Sequence, residues 1–276
     1  TAKWTPQYTA VISQIISAKY KYGFRIGSPI EMMKIRNYAE TADLILPASD
    51  EELENYFKVK PNYDYVMEEF IEGDIVSYDV ITNSKCEPLF ESMTLWPPSI
   101  ADIVNNKLDL DYYTAADVPE DLKTLGRATV KAFDVKSRFV HLEFFRLKKA
   151  KKGFGKKGDF VGLEVNMRPA GGYTPDMMNW AHATDVYQIW ADMVTSDKRL
   201  VPDLGKDHYC VYASRRDNYS YKHSYDEVMS KYGDKIVMAE RLPSLWYDAM
   251  GNYMFTAHAD DEDAAKEFIN FVEERA

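Results

Sequence analysis

Phe139-Val140-His141-Leu142-Glu143-Phe144-Phe145-Arg146-Leu147 and Phe160-Val161-Gly162-Leu163-Glu164-Val165-Asn166-Met167-Arg168 flank a Lys- and Gly-rich stretch, Lys148–Asp159. Runs of β-branched and aromatic residues predict strands over Arg138–Leu147 and Phe160–Met167, and the stretch between them predicts an exposed hairpin loop. A hairpin symmetric about Gly153–Phe154 sets Glu143 opposite Glu164 and His141 opposite Asn166. Side chains alternate along a strand, so these four polar groups converge on one face. Leu142, Phe144, Leu163 and Val165 then point the other way, into a core. A one-residue slip would undo the pairing.

Two carboxylates directly across a strand pair repel each other unless something compensates. Two readings follow. The patch is an ordinary solvent-facing sheet surface with Lys or Arg neighbours, or Glu143, Glu164 and the Asn166 carbonyl hold a hard divalent cation. Mg²⁺ takes oxygen ligands, typically one or two carboxylates with substrate phosphates and water. Arg168 lies two residues past Asn166, and Gly171-Gly172 follows. A guanidinium there could reach a phosphoryl group in transfer, and bare glycine N–H groups could hold phosphate or carboxylate oxygens. For the glycine pair alone, a plain turn serves as well.

Outward from the hairpin, the sequence reads as mixed structure. Ser49 ahead of Asp50-Glu51-Glu52 marks a helix start. Ile75–Thr82 and Lys85–Thr94 are strand-like, and Trp96-Pro97-Pro98 ends the second. Residues 99–117 read as a polar loop or lid. Pro119-Glu120-Asp121 opens a helix through Phe133. Asp185–Thr195 is an amphipathic helix with Val186, Ile189, Trp190, Met193 and Val194 on one side. Three more strands and two helices follow, the last over Asp261–Glu273. Strands and helices are intermixed without βαβ alternation, which predicts an α+β fold. Arg215 and Arg216 read as surface residues, with a bound carboxylate as the alternative.

The chain has 276 residues, enough for one large or two medium domains. A formal charge of −10 argues against a general nucleic-acid binder. Only two cysteines, Cys86 and Cys210, occur, so a reducing cytoplasm is the expected compartment. There is no apolar run long enough for a membrane span. The start at Thr1, without an initiator Met, reads as either a fragment or a processed chain.

The Glu143 strand followed by Glu164-Val165-Asn166-Met167-Arg168 resembles the ATP-grasp superfamily, whose signature is a Glu on one strand and Glu-x-Asn-x-Arg on the next. The resemblance spans roughly residues 20–195. It implies an ATP-grasp fold of two α+β subdomains clasping ATP: a small one over 1–66, a large one over 67–202, and a smaller α+β segment over 203–276. It further implies that Glu143, Glu164 and Asn166 bind Mg²⁺ and that Arg168 stabilises the transferring phosphoryl. Gly171 and Gly172 would join Arg168 at the substrate. Val66–Gly73 resembles the inter-subdomain segment that bonds adenine, which assigns Glu68, Glu69 and Ile71 to the base and Asp74 to the ribose. Lys34 resembles the phosphate-binding lysine. His141 is open to a nucleotide contact or to a structural hydrogen bond.

The implied activity is ATP- and Mg²⁺-dependent ligation, in which a substrate carboxylate becomes an acylphosphate that an amine or other nucleophile attacks. Phosphorylation of bicarbonate or carbamate, as in carbamoyl-phosphate synthetase, is a second reading. A non-catalytic nucleotide-binding module is a third, favoured by the glycine-poor Ile35–Ala42 stretch. The expected partners are small-molecule substrates, with a homodimer left open.

Overall fold

The computed structural model describes residues 49–59, 71–96, 107–202 and 204–276. In chain order these form α1 (Asp50–Val59), β1 (Gly73–Thr82), β2 (Pro88–Trp96), β3 (Asp111–Thr114), α2 (Glu120–Ala132), β4 (Arg138–Leu147), β5 (Phe160–Asn166), α3 (Thr174–Ala181), α4 (Val186–Ser196) and β6 (Tyr209–Arg215). Then come α5 (Tyr225–Tyr232), β7 (Ile236–Arg241), a short 3₁₀ turn and α6 (Tyr247–Met250), β8 (Tyr253–Ala259) and α7 (Glu262–Glu273).

The strands make one eight-stranded sheet in the order β5-β4-β1-β2-β3-β6-β8-β7, with every neighbouring pair antiparallel. Strand alternation sends one set of side chains to each face. On one face Val76, Tyr78, Val80, Val140, Leu142 and Phe144 pack with Leu122 and Val130 of α2. Farther along that face Val211, Phe255 and Ala257 meet Val228 of α5 and Phe268 and Val272 of α7. The opposite face packs Tyr112, Cys210, Tyr212 and Met254 on Met177 and Ala181 of α3. There too Ile81, Phe90 and Phe139 pack on Met178 of α3 and Ile189 and Met193 of α4. Helices thus cover both faces of a sheet that, among the described residues, has no parallel pair.

The helices start where local chemistry stops the chain from staying extended. Asp185 caps α4 by accepting from the Gln188 amide at 3.0 Å, and Asp261 caps α7 by accepting from the Ala264 amide at 2.8 Å. Ser224 and Glu227 form a reciprocal capping box at α5. Ala265, Phe268, Ile269 and Val272 of α7 are buried, the spacing of a single apolar stripe.

Four expectations change. The stretch read as a loop over 99–117 contains β3, which sits inside the sheet between β2 and β6. The segment after Gly172, to which the sequence assigned no helix, is α3. Trp190 and Val194 are 38% and 63% exposed, because only the Val186-Ile189-Met193 stripe of α4 meets the sheet. Arg216 is not a surface residue. It is 7% exposed, and its guanidinium donates to the carbonyls of Leu108, Tyr247 and Asp248 at 2.7–2.9 Å. Residues 204–276 supply β6, β7 and β8 to the same sheet as β1–β5. Among the described residues no helix is long and apolar enough to cross a membrane.

Candidate functional site

The β4–β5 pairing puts Glu143 opposite Glu164 and His141 opposite Asn166. Toward the loop the register slips by one residue, so that Phe144 faces Gly162 and Phe145 faces Val161. The extra residue, Leu163, is half-buried and joins no core cluster among the described residues, where a symmetric hairpin predicts an inward position. A bulge beside Glu164 bends the strand locally and re-aims its neighbours.

Asn166 is 1% exposed. Its amide nitrogen donates to Glu164 Oε2 at 3.1 Å and, at 3.4 Å, to Glu143 Oε1. Its carbonyl oxygen Oδ1 is buried and, among the described residues, has no hydrogen-bond partner. A buried acceptor left unmatched costs about 1–3 kcal/mol, and the oxygen lies on the side chain that already links both carboxylates. A hard cation would supply the missing partner. The donor set of two carboxylates and one amide oxygen suits Mg²⁺, which keeps its remaining positions for phosphates and water. Among the described residues no group of three or more His, Cys, Asp and Glu side chains is placed to hold a metal ion; the set here is two carboxylates and an amide oxygen.

His141 faces β1 as well as β5. Its Nδ1 lies 2.7 Å from Asp79 Oδ1 and its Nε2 3.0 Å from Glu143 Oε1. Burial disfavours charge on the imidazole, but the Asp79 and Glu143 carboxylates outweigh it and push the pKa up to about 10. Each ring nitrogen of His141 thus faces a carboxylate oxygen. Ser77 Oγ in turn donates to Asp79 Oδ2 at 2.5 Å. Asp79 and Ser77 were not singled out in the sequence. The signal was an acid inside the apolar Ile75–Ile81 run, but its meaning depends on β1 pairing with β4, which sets Asp79 against His141 and Ser77 against Glu143.

On the same face, toward the start of β1, lies a half-buried apolar strip of Ile75, Phe145 and Val161. Ile71, 7% exposed, precedes it. Asp74 is not brought to the patch. It is three residues from Ser77 and so points to the opposite face of β1, where it pairs with Lys148 at 2.7 Å. Arg168 is exposed just beyond β5 and donates to the Pro169 carbonyl at 2.7 Å. Gly172 has φ +59°, and a Cβ there would lie 2.9 Å from Met250 Cε, whereas a Cβ on Gly171 would meet nothing within 4 Å. Lys34, Glu68 and Glu69 lie outside the described residues.

No family model and no curated protein sequence matches the chain. Solved structures do. Phosphoribosylglycinamide synthetase from Anaerococcus prevotii superposes with a TM-score of 0.57 at 14% identity, over 95% of this chain and 71% of that one. N5-carboxyaminoimidazole synthetase from Staphylococcus aureus, complexed with ADP, gives 0.57 at 12% identity over 95% and 69%. The biotin carboxylase domain of 2-oxoglutarate carboxylase from Hydrogenobacter thermophilus, in complex with MgADP, ADP and bicarbonate, gives 0.50 at 13% identity over 91% and 56%. At these identities the likeness is one of fold.

Proposed function

With the ATP-grasp fold that the chain shares with these enzymes as premise, we propose that it is an ATP- and Mg²⁺-dependent ligase acting on a small-molecule carboxylate. The observation that carries this reading is the buried, partnerless Asn166 Oδ1 beside a facing pair of glutamates.

In this reading Glu143, Glu164 and Asn166 hold Mg²⁺, which neutralises phosphate charge when bound. The half-buried Ile75-Phe145-Val161 strip offers a flat apolar surface to a base, beside Ile71. Arg168 supplies positive charge to the phosphoryl group, and the Gly171 and Gly172 amides face the substrate carboxylate. Lys34, Glu68 and Glu69 keep the phosphate and adenine roles that the resemblance implies. Asp74 is dropped from the ribose, because it belongs to the other face of β1.

The reaction forms a bond between a carboxylate oxygen and the γ-phosphorus of ATP and breaks the bond to the β–γ bridging oxygen, releasing ADP. A nucleophile such as an amine then attacks the acyl carbon, phosphate leaves, and the amine loses a proton. None of these steps needs a side-chain nucleophile. The protein contributes positioning and charge.

Incubation of the full-length protein with ATP, Mg²⁺ and pooled amino acids, followed by phosphate and product analysis, tests the proposal. ADP and phosphate release that depends on an added acid supports it. Nucleotide binding without turnover across a broad panel of acids would replace it with the non-catalytic reading.

A further inference from the structure

A run of hydrogen bonds enters the carboxylate patch from the inside of the sheet. The Thr94 amide on β2 donates to Ser77 Oγ at 3.2 Å, and Ser77 Oγ donates to Asp79 Oδ2 at 2.5 Å. The other Asp79 oxygen receives His141 Nδ1 at 2.7 Å, and His141 Nε2 reaches Glu143 Oε1 at 3.0 Å. The run starts at a backbone group fixed by the β1–β2 ladder and ends on a carboxylate that forms the patch. Exposure rises along it: Ser77 and Asp79 are fully buried, His141 is 5% exposed, and the Glu143 side chain is 23% exposed.

Stability alone gives no reason for such a construction. A buried acid and an imidazole on adjacent strands could be replaced by apolar side chains of similar volume at little or no loss, and often with a gain. What the chain of bonds does provide is a fixed rotamer for Glu143. One of its oxygens is tied to a ring that Asp79 and Ser77 hold in turn, as outer groups orient ligands around metals. Both ring nitrogens face carboxylates, so neither is left to address a nucleotide.

We propose that Asp79 and His141 are positioning residues, with Ser77 behind them, that hold Glu143 in its cation-binding orientation and so set the affinity for divalent metal without touching nucleotide. This rests on the reading of the patch as a Mg²⁺–nucleotide site. It replaces the nucleotide contact that the sequence left open for His141.

Calorimetric titration of the full-length protein with ADP, at a series of Mg²⁺ concentrations and in chelator, separates the possibilities. For Asp79→Asn the Mg²⁺ concentration at half-maximal enhancement of ADP binding should rise by about 10–100-fold, while affinity for ADP in chelator stays at the wild-type value. Ser77→Ala should shift the same midpoint in the same direction by less. Because Ser77→Ala removes a single hydroxyl, it decides the matter if Asp79→Asn does not fold. Unshifted Mg²⁺ midpoints in folded variants would overturn this inference alone, as would weaker ADP binding in chelator. Wild-type protein that binds ADP with no dependence on Mg²⁺ would overturn the site reading and this inference together.

Discussion

At the scale of single residues, the site turns on side chains whose bonding is one-sided. Asn166 gives its nitrogen to two glutamates and keeps a buried oxygen without a partner. Glu164→Gln lowers the negative charge of the patch while keeping its shape. It should weaken Mg²⁺-dependent nucleotide binding by at least tenfold, about 1.4 kcal/mol, with a circular dichroism spectrum like that of wild type. Full Mg²⁺–ATP affinity and activity in this variant would contradict the metal assignment. The glycine pair divides differently. Gly172→Ala forces a left-handed backbone and a clash with Met250, a cost of about 1–2 kcal/mol, whereas Gly171→Ala enters open space and should leave thermal stability near wild type. Equal melting temperatures for the two would contradict this account. The Glu143–Glu164 and His141–Asn166 pairings were legible in the sequence because they depend only on strand alternation within one hairpin. Asp79 was not, because its role exists only once β1, 62 residues away, lies against His141.

At the scale of elements, length and punctuation decided what could be read. The strands β1, β4 and β5 are runs of seven to ten residues rich in β-branched and aromatic side chains. α2, α5 and α7 announce themselves by acidic first turns and apolar stripes. β3 has only four residues, too few to show alternation against a polar background, and α3 begins with Thr-Pro directly after Gly-Gly-Tyr, which reads as a turn.

β3 also carries a testable electrostatic feature. Burial and the neighbouring Asp109 push the Asp111 carboxyl up to about 6. Burial, with repulsion from Asp111 and Asp109, holds Glu273 on α7 well above its ordinary range. A carboxyl whose folded pKa is raised binds its proton more tightly in the folded state. Its contribution to stability is therefore full below the unfolded value of about 3.9 and is lost as pH rises through the folded value. Denaturant melts of Asp111→Asn and wild type should diverge in favour of the variant as pH rises from 4 through about 6, and the gap should persist above it. Curves parallel throughout would show that this carboxyl does not titrate as described.

At the scale of the whole molecule, one antiparallel sheet does two jobs. Its α2–α5–α7 face carries two apolar clusters. Its other face is packed by α3 and α4 over part of its width and, across β1, β4 and β5, presents the polar network and the apolar strip side by side. The strands of the C-terminal segment extend that sheet, and Met250 lies against Gly172, so in the proposed reading residues beyond 203 bear on the substrate side of the site as well as on stability. The α+β class was readable from the intermixed order of elements, whereas the continuity of the sheet required β3, which joins β2 to β6.

The central claim, that Glu143, Glu164 and Asn166 hold the metal of a metal–nucleotide complex, is tested most directly by crystals of the full-length protein grown with a non-hydrolysable ATP analogue and Mn²⁺. An anomalous scattering peak is expected between the two glutamates, with Asn166 Oδ1 among its ligands at about 2.2 Å and the analogue's phosphates completing the shell. Nucleotide bound with its Mn²⁺ away from these three side chains, or a patch without metal in crystals that hold the nucleotide, would contradict it.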